Sequence, residues 1–271
     1  MNPFKQLLSV AGGRPPVGTW ISSASPLVAE AVAHAGFDWG VVDMEHSPLD
    51  MMTVVSLLQA VGSSRLVPVV RVPWNDAVAI KRVLDAGATT LLVPFVQSAD
   101  EARHAVAASR YPPEGIRGMS TGSRASRYGT VPQYLRNANR GVAVIVQLET
   151  VQAVAALEAI AAVPGVDAVF LGPADLSASM GYVGQLTHPA VTDMMTQVVK
   201  RCKALGVPVG IIGGTPGVVA QYRAMGFDFV AIASDIGLLI QAAQAAIASL
   251  QTPGGLHVHT LASGTETGGS Q

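Results

Sequence analysis

Eight short apolar runs rich in β-branched residues recur along the chain, separated by Ala-rich stretches whose apolar positions fall three and four apart. The runs are VGTWI (17–21), WGVVDM (39–44), LVPVVRV (66–72), TTLLVPFV (89–96), VAVIVQLE (142–149), VDAVFLG (166–172), VPVGIIG (207–213) and FDFVAIA (227–233). They are continuous rather than alternating, the pattern of parallel strands covered on both faces. Between them, PLVAEAVAHAG (26–36) and NDAVAIKRVLDAG (75–87) keep a helical period and end on a Gly stop signal. Strict alternation of eight strands with helices predicts a (β/α)8 TIM barrel, one domain over residues 1–251. An open doubly wound sheet is the competing arrangement, but no GxGxxG follows the first strand. The repeated HAGFD, DAGAT and AMGFD segments read as helix-to-strand turns of equivalent units.

Two segments break this rhythm. YPPEGIRGMSTGSRASRYG (111–129) is too long for an ordinary helix-to-strand turn and is expected to be functional or mobile. Residues 252–271 are rich in Gly, Ser and Thr and are expected to be disordered, with His257 and His259 in a solvated tail rather than a metal site.

Composition narrows the function. The chain has 271 residues, 49% hydrophobic and 13% charged, enough for one large core. With 17 Lys and Arg against 18 Asp and Glu, the formal charge of −1 gives no field to attract nucleic acid or an anionic membrane. No apolar run reaches the roughly 20 residues of a membrane span, and the first residues lack a signal-type apolar core. The one cysteine, Cys202, excludes an internal disulfide and reads as a buried thiol. A soluble, cytoplasmic protein is expected.

In a barrel of this kind the active site lies at the C-terminal ends of the strands. There the sequence places Asp43, Glu45 and His46 after strand 2 and Arg71 at the end of strand 3. Gln147 and Glu149 share one face of strand 5, and Asp175 follows a Gly-Pro turn after strand 6. Taken singly, each has an ordinary reading: Arg71 as an ion-pair strut, Glu149 as a helix N-terminal charge, Asp175 as an N-cap. Their convergence on one mouth points to a site. Two carboxylates with a Gln nearby suit a divalent ion such as Mg²⁺ or Mn²⁺ that keeps waters or substrate oxygens in its shell. Lys5, Lys81, Lys200 and Lys203 all fall outside the strand ends, which excludes a Schiff-base lysine; carbonyl chemistry here would use a metal as Lewis acid. The glycines of GIIGGTP (210–216) either cradle a phosphate or relieve crowding at the mouth.

VDMEHSPLD, VVRVPWND, LDAGATTLLVPFVQSADEA, RYPPEGIRGMS, VQLET and FLGPADLSASMG follow one another in order. Together they resemble the HpcH/HpaI family of pyruvate-dependent class II aldolases, from about residue 4 to residue 250. The resemblance implies retro-aldol cleavage of 4-hydroxy-2-oxo acids to pyruvate and an aldehyde, with a divalent ion (Mg²⁺, Mn²⁺ or Co²⁺) as cofactor. It implies Glu149 and Asp175 as metal ligands, Arg71 as stabiliser of the enolate, and His46 as acid/base with Asp85 as its partner, reaching it from an adjoining subunit. Gln147 and the Gly172, Pro173 and Ala174 turn would hold pyruvate, Asp43 would meet the aldehyde-derived hydroxyl, and Glu45 would be an outer group near metal-bound water. Trp20 and Ile212 would wall the acceptor pocket, joined by Met119, while Arg124 or Arg127 would meet a distal carboxylate. A homo-oligomer, a dimer-based hexamer with an exchanged C-terminal helix, is implied as well. Oxaloacetate decarboxylation or enolate trapping at the same site, and a non-catalytic keto-acid binder, are the alternatives.

Overall fold

In the computed structural model, which describes residues 1–251, eight parallel strands close into a barrel in chain order. They are β1 (Val17–Ile21), β2 (Trp39–Asp43), β3 (Val67–Arg71), β4 (Thr90–Val93), β5 (Ala143–Leu148), β6 (Ala168–Leu171), β7 (Val209–Gly213) and β8 (Phe229–Ser234). Every expected strand is present within a few residues, and the barrel replaces the open-sheet alternative. The largest difference is β4, which ends at Val93 rather than Val96: Pro94 is followed by Phe95 at φ +50°, which turns the chain out of the sheet. Met1–Ile236 form one compact unit and the chain from Gly237 a second, whose described residues continue helix Asp235–Gln251. The tail with His257 and His259 lies outside the described residues.

The connecting helices start where short polar residues cap them. Ser25, Asp50, Asp76, Ser98, Thr150 and Thr215 each accept a backbone N–H of the helix they precede. Pro26 and Pro216 take positions where a missing N–H is harmless. This places each strand-to-helix loop at the strands' C-terminal end and each helix-to-strand turn at the other.

Apolar burial falls into two layers. The outer layer packs strand residues such as Val42, Val70, Val146 and Leu171 against the helices. The inner layer fills the barrel with Phe4, Trp20, Trp39, Phe170 and Phe229. Phe4, from the N-terminal helix Pro3–Val10, closes the bottom, edge-on to Phe229 at 5.2 Å and to Trp39 at 6.0 Å. Asn2 anchors that helix by donating to the Thr89 and Gly141 carbonyls. The aromatic column continues through Phe170 to Trp20, whose ring lies 5.5 Å from Phe170 and directly below the mouth. The barrel interior is therefore packed solid up to the level of the polar residues.

That packing requires a residue without a side chain at position 210, where a Cβ would overlap the Phe229 ring. Gly210→Ala is accordingly expected to destabilise the fold by about 1–3 kcal/mol, since overpacking forces rings off their rotamers. A lowered urea midpoint with unchanged slope would show it; an unchanged midpoint would mean that the column has slack.

Candidate active site

Parallel pairing of β2 and β3 sets Asp43 level with Arg71. Arg71 donates from Nε to Asp43 Oδ1 at 2.9 Å and from Nη2 to Oδ2 at 2.8 Å, a two-pronged match of guanidinium to carboxylate. Both residues are buried, at 6% and 2% exposure, and the guanidinium lies 5.6 Å over the Trp20 ring. Asp43 Oδ1 also accepts the N–H groups of Glu45 and His46 and so shapes the turn after β2. The Asp43 carboxylate, expected near the aldehyde-derived hydroxyl, is thus engaged by Arg71 and by the turn.

Glu45 Oε2 lies 2.8 Å from Arg71 Nη1 and 3.7 Å from His46 Nε2. It is close enough for an ion pair but off the N–H direction, so this buried oxygen accepts no hydrogen bond. Burial raises the Glu45 carboxyl above its ordinary range, opposed by Arg71 and His46 and reinforced by Asp43 and Asp175. The His46 side chain is 62% exposed. Within one chain the carboxylate beside His46 is therefore Glu45, not Asp85.

Gln147 and Glu149 do share one face, as expected from alternation: Gln147 Nε2 donates to Glu149 Oε1 at 2.6 Å. The other oxygen, Oε2, accepts the backbone N–H of Phe95 at 2.9 Å. Glu149 is 1% exposed, and burial pushes its carboxyl up to about 7. The Phe95 bond and Arg71 oppose that rise, while the charges of Glu45 and Asp175 add to it. Gly172 is what lets β6 pass so close, since a Cβ there would stand 2.6 Å from Glu149 Oε1 and 2.7 Å from its Cγ.

After β6, helix Pro173–Ser179 opens with Pro173, and Asp175 lies in its first turn, half-buried, rather than at the N-cap, which is Gly172. The Gly172 N–H donates to the Leu148 carbonyl within the sheet, which removes it as a ligand donor. Ala174 and Asp175, at the helix start, have no carbonyl four residues back within the helix to bond.

A cavity of about 360 Å³ opens over these groups, and Trp20, His46, Arg71, Gln147, Gly172, Pro173, Ala174, Asp175 and Ile212 line it. Leu186, Gly213, Gly214 and Ala233 line it too. A larger hollow of about 550 Å³ lies at the opposite end of the barrel, lined by residues including His34, Asp38 and Arg65. It lacks the convergent carboxylates and buried cation, so chemistry rather than size selects the site. Gly213 sits tightly against Val218 and Val219 while Gly214 is open, which favours relief of crowding for the GIIGGTP run.

Two expected contributors lie elsewhere. Asp85 ends helix Ala77–Asp85, at the strands' N-terminal end, where it accepts from Arg117 at 2.6 Å; Arg117 in turn covers the Tyr111 ring. The 111–129 segment lies between helices Ala99–Ser109 and Tyr134–Gly141, ahead of β5, and its Arg124 donates to the Ala86 carbonyl in the turn before β4, at that same far end. Met119, Arg124 and Arg127 are thus not walls of this chain's own cavity.

The sequence profile of the HpcH/HpaI aldolase/citrate lyase family matches residues 17–242. The chain belongs to this family. It is 49% identical over 236 residues to a 2-dehydro-3,6-dideoxy-6-sulfogluconate aldolase of Pseudomonas putida, covering 87% of this chain and 92% of the relative. It is 47% identical over 245 residues to a 4-hydroxy-2-oxo-heptane-1,7-dioate aldolase of Salmonella arizonae, covering 90% and 92%. A solved HpcH/HpaI family protein of Burkholderia cenocepacia J2315 superposes with a TM-score of 0.90 at 42% identity, covering 93% of this chain and all of that one. Among the described residues of this HpcH/HpaI family member, no helix is long and apolar enough to cross a membrane.

The raised Glu149 carboxyl has a measurable consequence. Between its ordinary 4.5 and about 7, the folded protein holds a proton that the unfolded chain has released. Stability of chelator-stripped protein should therefore fall as pH rises across that window, by about 3 kcal/mol at most. Urea midpoints compared at about pH 4.5 and about pH 7.5 would read this decline, and Glu149→Gln should abolish it. An equal decline in the variant would assign it to another group.

Proposed function

We propose that this chain is a class II aldolase, reversibly cleaving 4-hydroxy-2-oxo acids to pyruvate and an aldehyde with the help of a divalent metal ion. The observation that carries the reading is one cavity presenting Asp175, His46 and a locked, buried Arg71, with the buried Glu149 carboxyl held just behind it by Gln147, which lines the same cavity. Membership of a family whose relatives are named aldolases supports it.

The donors fit a hard divalent ion. All are oxygens, and Glu45 Oε2 and Gln147 Oε1 are buried without a hydrogen-bond donor. The Glu149 carboxyl is raised chiefly by burial, with the nearby Glu45 and Asp175 charges adding to it. Among the described residues no group of three or more His, Cys, Asp or Glu is arranged to hold a metal. As the family resemblance implies, Glu149 and Asp175 would be the two protein ligands, with substrate oxygens and water completing the shell. When bound, the ion supplies a Lewis acid that polarises the keto oxygen and balances enolate charge.

The chain's own residues do the rest. Asp43 occupies Nε and one Nη2 hydrogen of Arg71, so the guanidinium keeps N–H groups on Nη1 and Nη2 in a fixed direction. Those groups would bind the keto oxygen as negative charge grows there. The Ala174 and Asp175 N–H groups, in place of Gly172, would receive the pyruvate carboxylate, and Pro173 has no N–H to give. In the retro direction His46 would take the proton from the C4 hydroxyl, the C3–C4 bond would break, and the aldehyde would leave the enolate behind. Glu45 would orient His46 from within the chain. Asp85 acts on His46 only if a second copy brings it to this mouth, which we include with a homo-oligomeric assembly. Helix Asp235–Gln251 supports such an assembly, with Leu239, Ile240, Ile247 and Leu250 all more than half exposed.

For the acceptor half, Trp20, Leu186, Ile212 and Ala233 offer an apolar wall. Nearly equal identity to a 6-sulfogluconate aldolase and a heptane-1,7-dioate aldolase means that overall similarity does not choose the aldehyde.

Retro-aldol release of pyruvate from 4-hydroxy-2-oxo acids, by stripped protein before and after Mg²⁺, Mn²⁺ or Co²⁺ is restored, tests the proposal. Activity should return with the ion and be absent in Glu149→Ala; activity that survives both treatments would overturn the metal's role. Arg71→Lys should lose at least about 100-fold in turnover, because an ammonium cannot reproduce the fork on Asp43.

A further inference from the structure

The turn after β4 is built around an unusual backbone. Phe95 stands at φ +50°, a left-handed conformation that bulky residues rarely adopt and that concentrates at functional sites. Its neighbours hold it there. The Val96 N–H donates to the Gln147 carbonyl at 3.1 Å, and the Gln97 side-chain oxygen accepts the Thr150 hydroxyl at 3.0 Å. The Gln97 N–H donates to Glu101 Oε2 at 2.6 Å. From the adjacent loop after β3, Trp74 stacks on the Phe95 ring with centroids 5.9 Å apart and planes 29° from parallel, although the indole is 57% exposed. No core packing explains an exposed tryptophan at that place. The turn has one clear product, the Phe95 N–H aimed at Glu149 Oε2 at 2.9 Å. With Gln147 on the other oxygen, that bond fixes the plane of the carboxylate. It is also the main influence holding the Glu149 carboxyl down against burial.

We propose that Phe95 is a positioning residue for the divalent-ion site, its left-handed backbone presenting an N–H that presets Glu149, and that Trp74 braces this turn from outside. The inference rests on the aldolase reading in that it takes Glu149 as a ligand. What matters at position 95 is the backbone conformation, so glycine, which adopts it freely and keeps the N–H, should serve, and a β-branched residue should not.

The test is direct Mn²⁺ titration, followed by the electron paramagnetic resonance of the free ion, on full-length stripped protein and three variants. Phe95→Val should weaken Mn²⁺ binding at least about tenfold, whereas Phe95→Gly and Trp74→Ala, which lose the ring stack but keep the backbone N–H in place, should each weaken it only about two- to threefold. Loss in Phe95→Gly equal to that in Phe95→Val would overturn the inference, since the ring rather than the backbone would then matter. Unchanged binding in Phe95→Val would overturn it too, and unchanged binding in Trp74→Ala would remove the brace. Unmodified protein that takes up no Mn²⁺ would sink the metal reading itself, a result distinct from all of these.

Discussion

A permanent positive charge buried at the end of β3 is the constraint from which the rest of the mouth follows. Arg71 cannot release its proton to escape a dry environment, so the protein must supply countercharge and hydrogen-bond acceptors in place. Strand pairing supplies the first: a parallel register that sets Asp43 beside Arg71 makes the fork a by-product of closing the barrel. The Trp20 face below adds a favourable contact and also shuts out water. Once Asp43 is committed to Arg71, its spare lone pairs fold the following turn, and that turn carries Glu45 back to Arg71 and His46 to the cavity.

The carboxylates answer to the same electrostatics with the opposite sign. One guanidinium faces Asp43, Glu45, Glu149 and Asp175, and its interaction with Asp43 already uses much of its charge. Burial first, and the neighbouring charges of Glu45 and Asp175 after it, raise the Glu149 carboxyl, while Glu45 Oε2 lies beside Arg71 Nη1 without accepting its N–H. Burial and like charge both disfavour ionisation here, and this is the physical sense in which the proposed divalent ion would suit these residues.

Much of this was legible in the chain, and the reasons are specific. Continuous runs such as AVIVQL in β5 report burial on both faces, and the barrel rule then places whatever ends those runs at one mouth, which is how Arg71, Gln147, Glu149 and Asp175 are legible. Asp85, expected to reach His46 from an adjoining subunit, ends a helix at the far end of this chain's own barrel, where it pairs with Arg117. The 111–129 segment leads from one helix into another ahead of β5, with Arg124 bonding the Ala86 carbonyl at that same end, and motif matching carries no information on which barrel end such a segment occupies. Leu186 and Ala233 escaped notice because one lies in an irregular stretch after helix Pro173–Ser179 and the other ends an ordinary strand. The Phe95 turn was hidden inside the apolar run TTLLVPFV, where only Pro94 signalled a break.

These differences divide the site along a physical line. Groups that would handle pyruvate sit on strand ends or at the first turn of a helix, and their directions are fixed by sheet register and by bonds to backbone. Groups that would meet the aldehyde are apolar and partly on loops, as with Leu186, where a change of residue alters shape without disturbing the buried charges. A reaction whose first half is always an enolate needs the first kind of precision everywhere and the second nowhere. That is why relatives of nearly equal identity can carry names that differ in the aldehyde half: substitution at the wall is structurally inexpensive, whereas substitution around Arg71 or Glu149 leaves a buried charge without its partner.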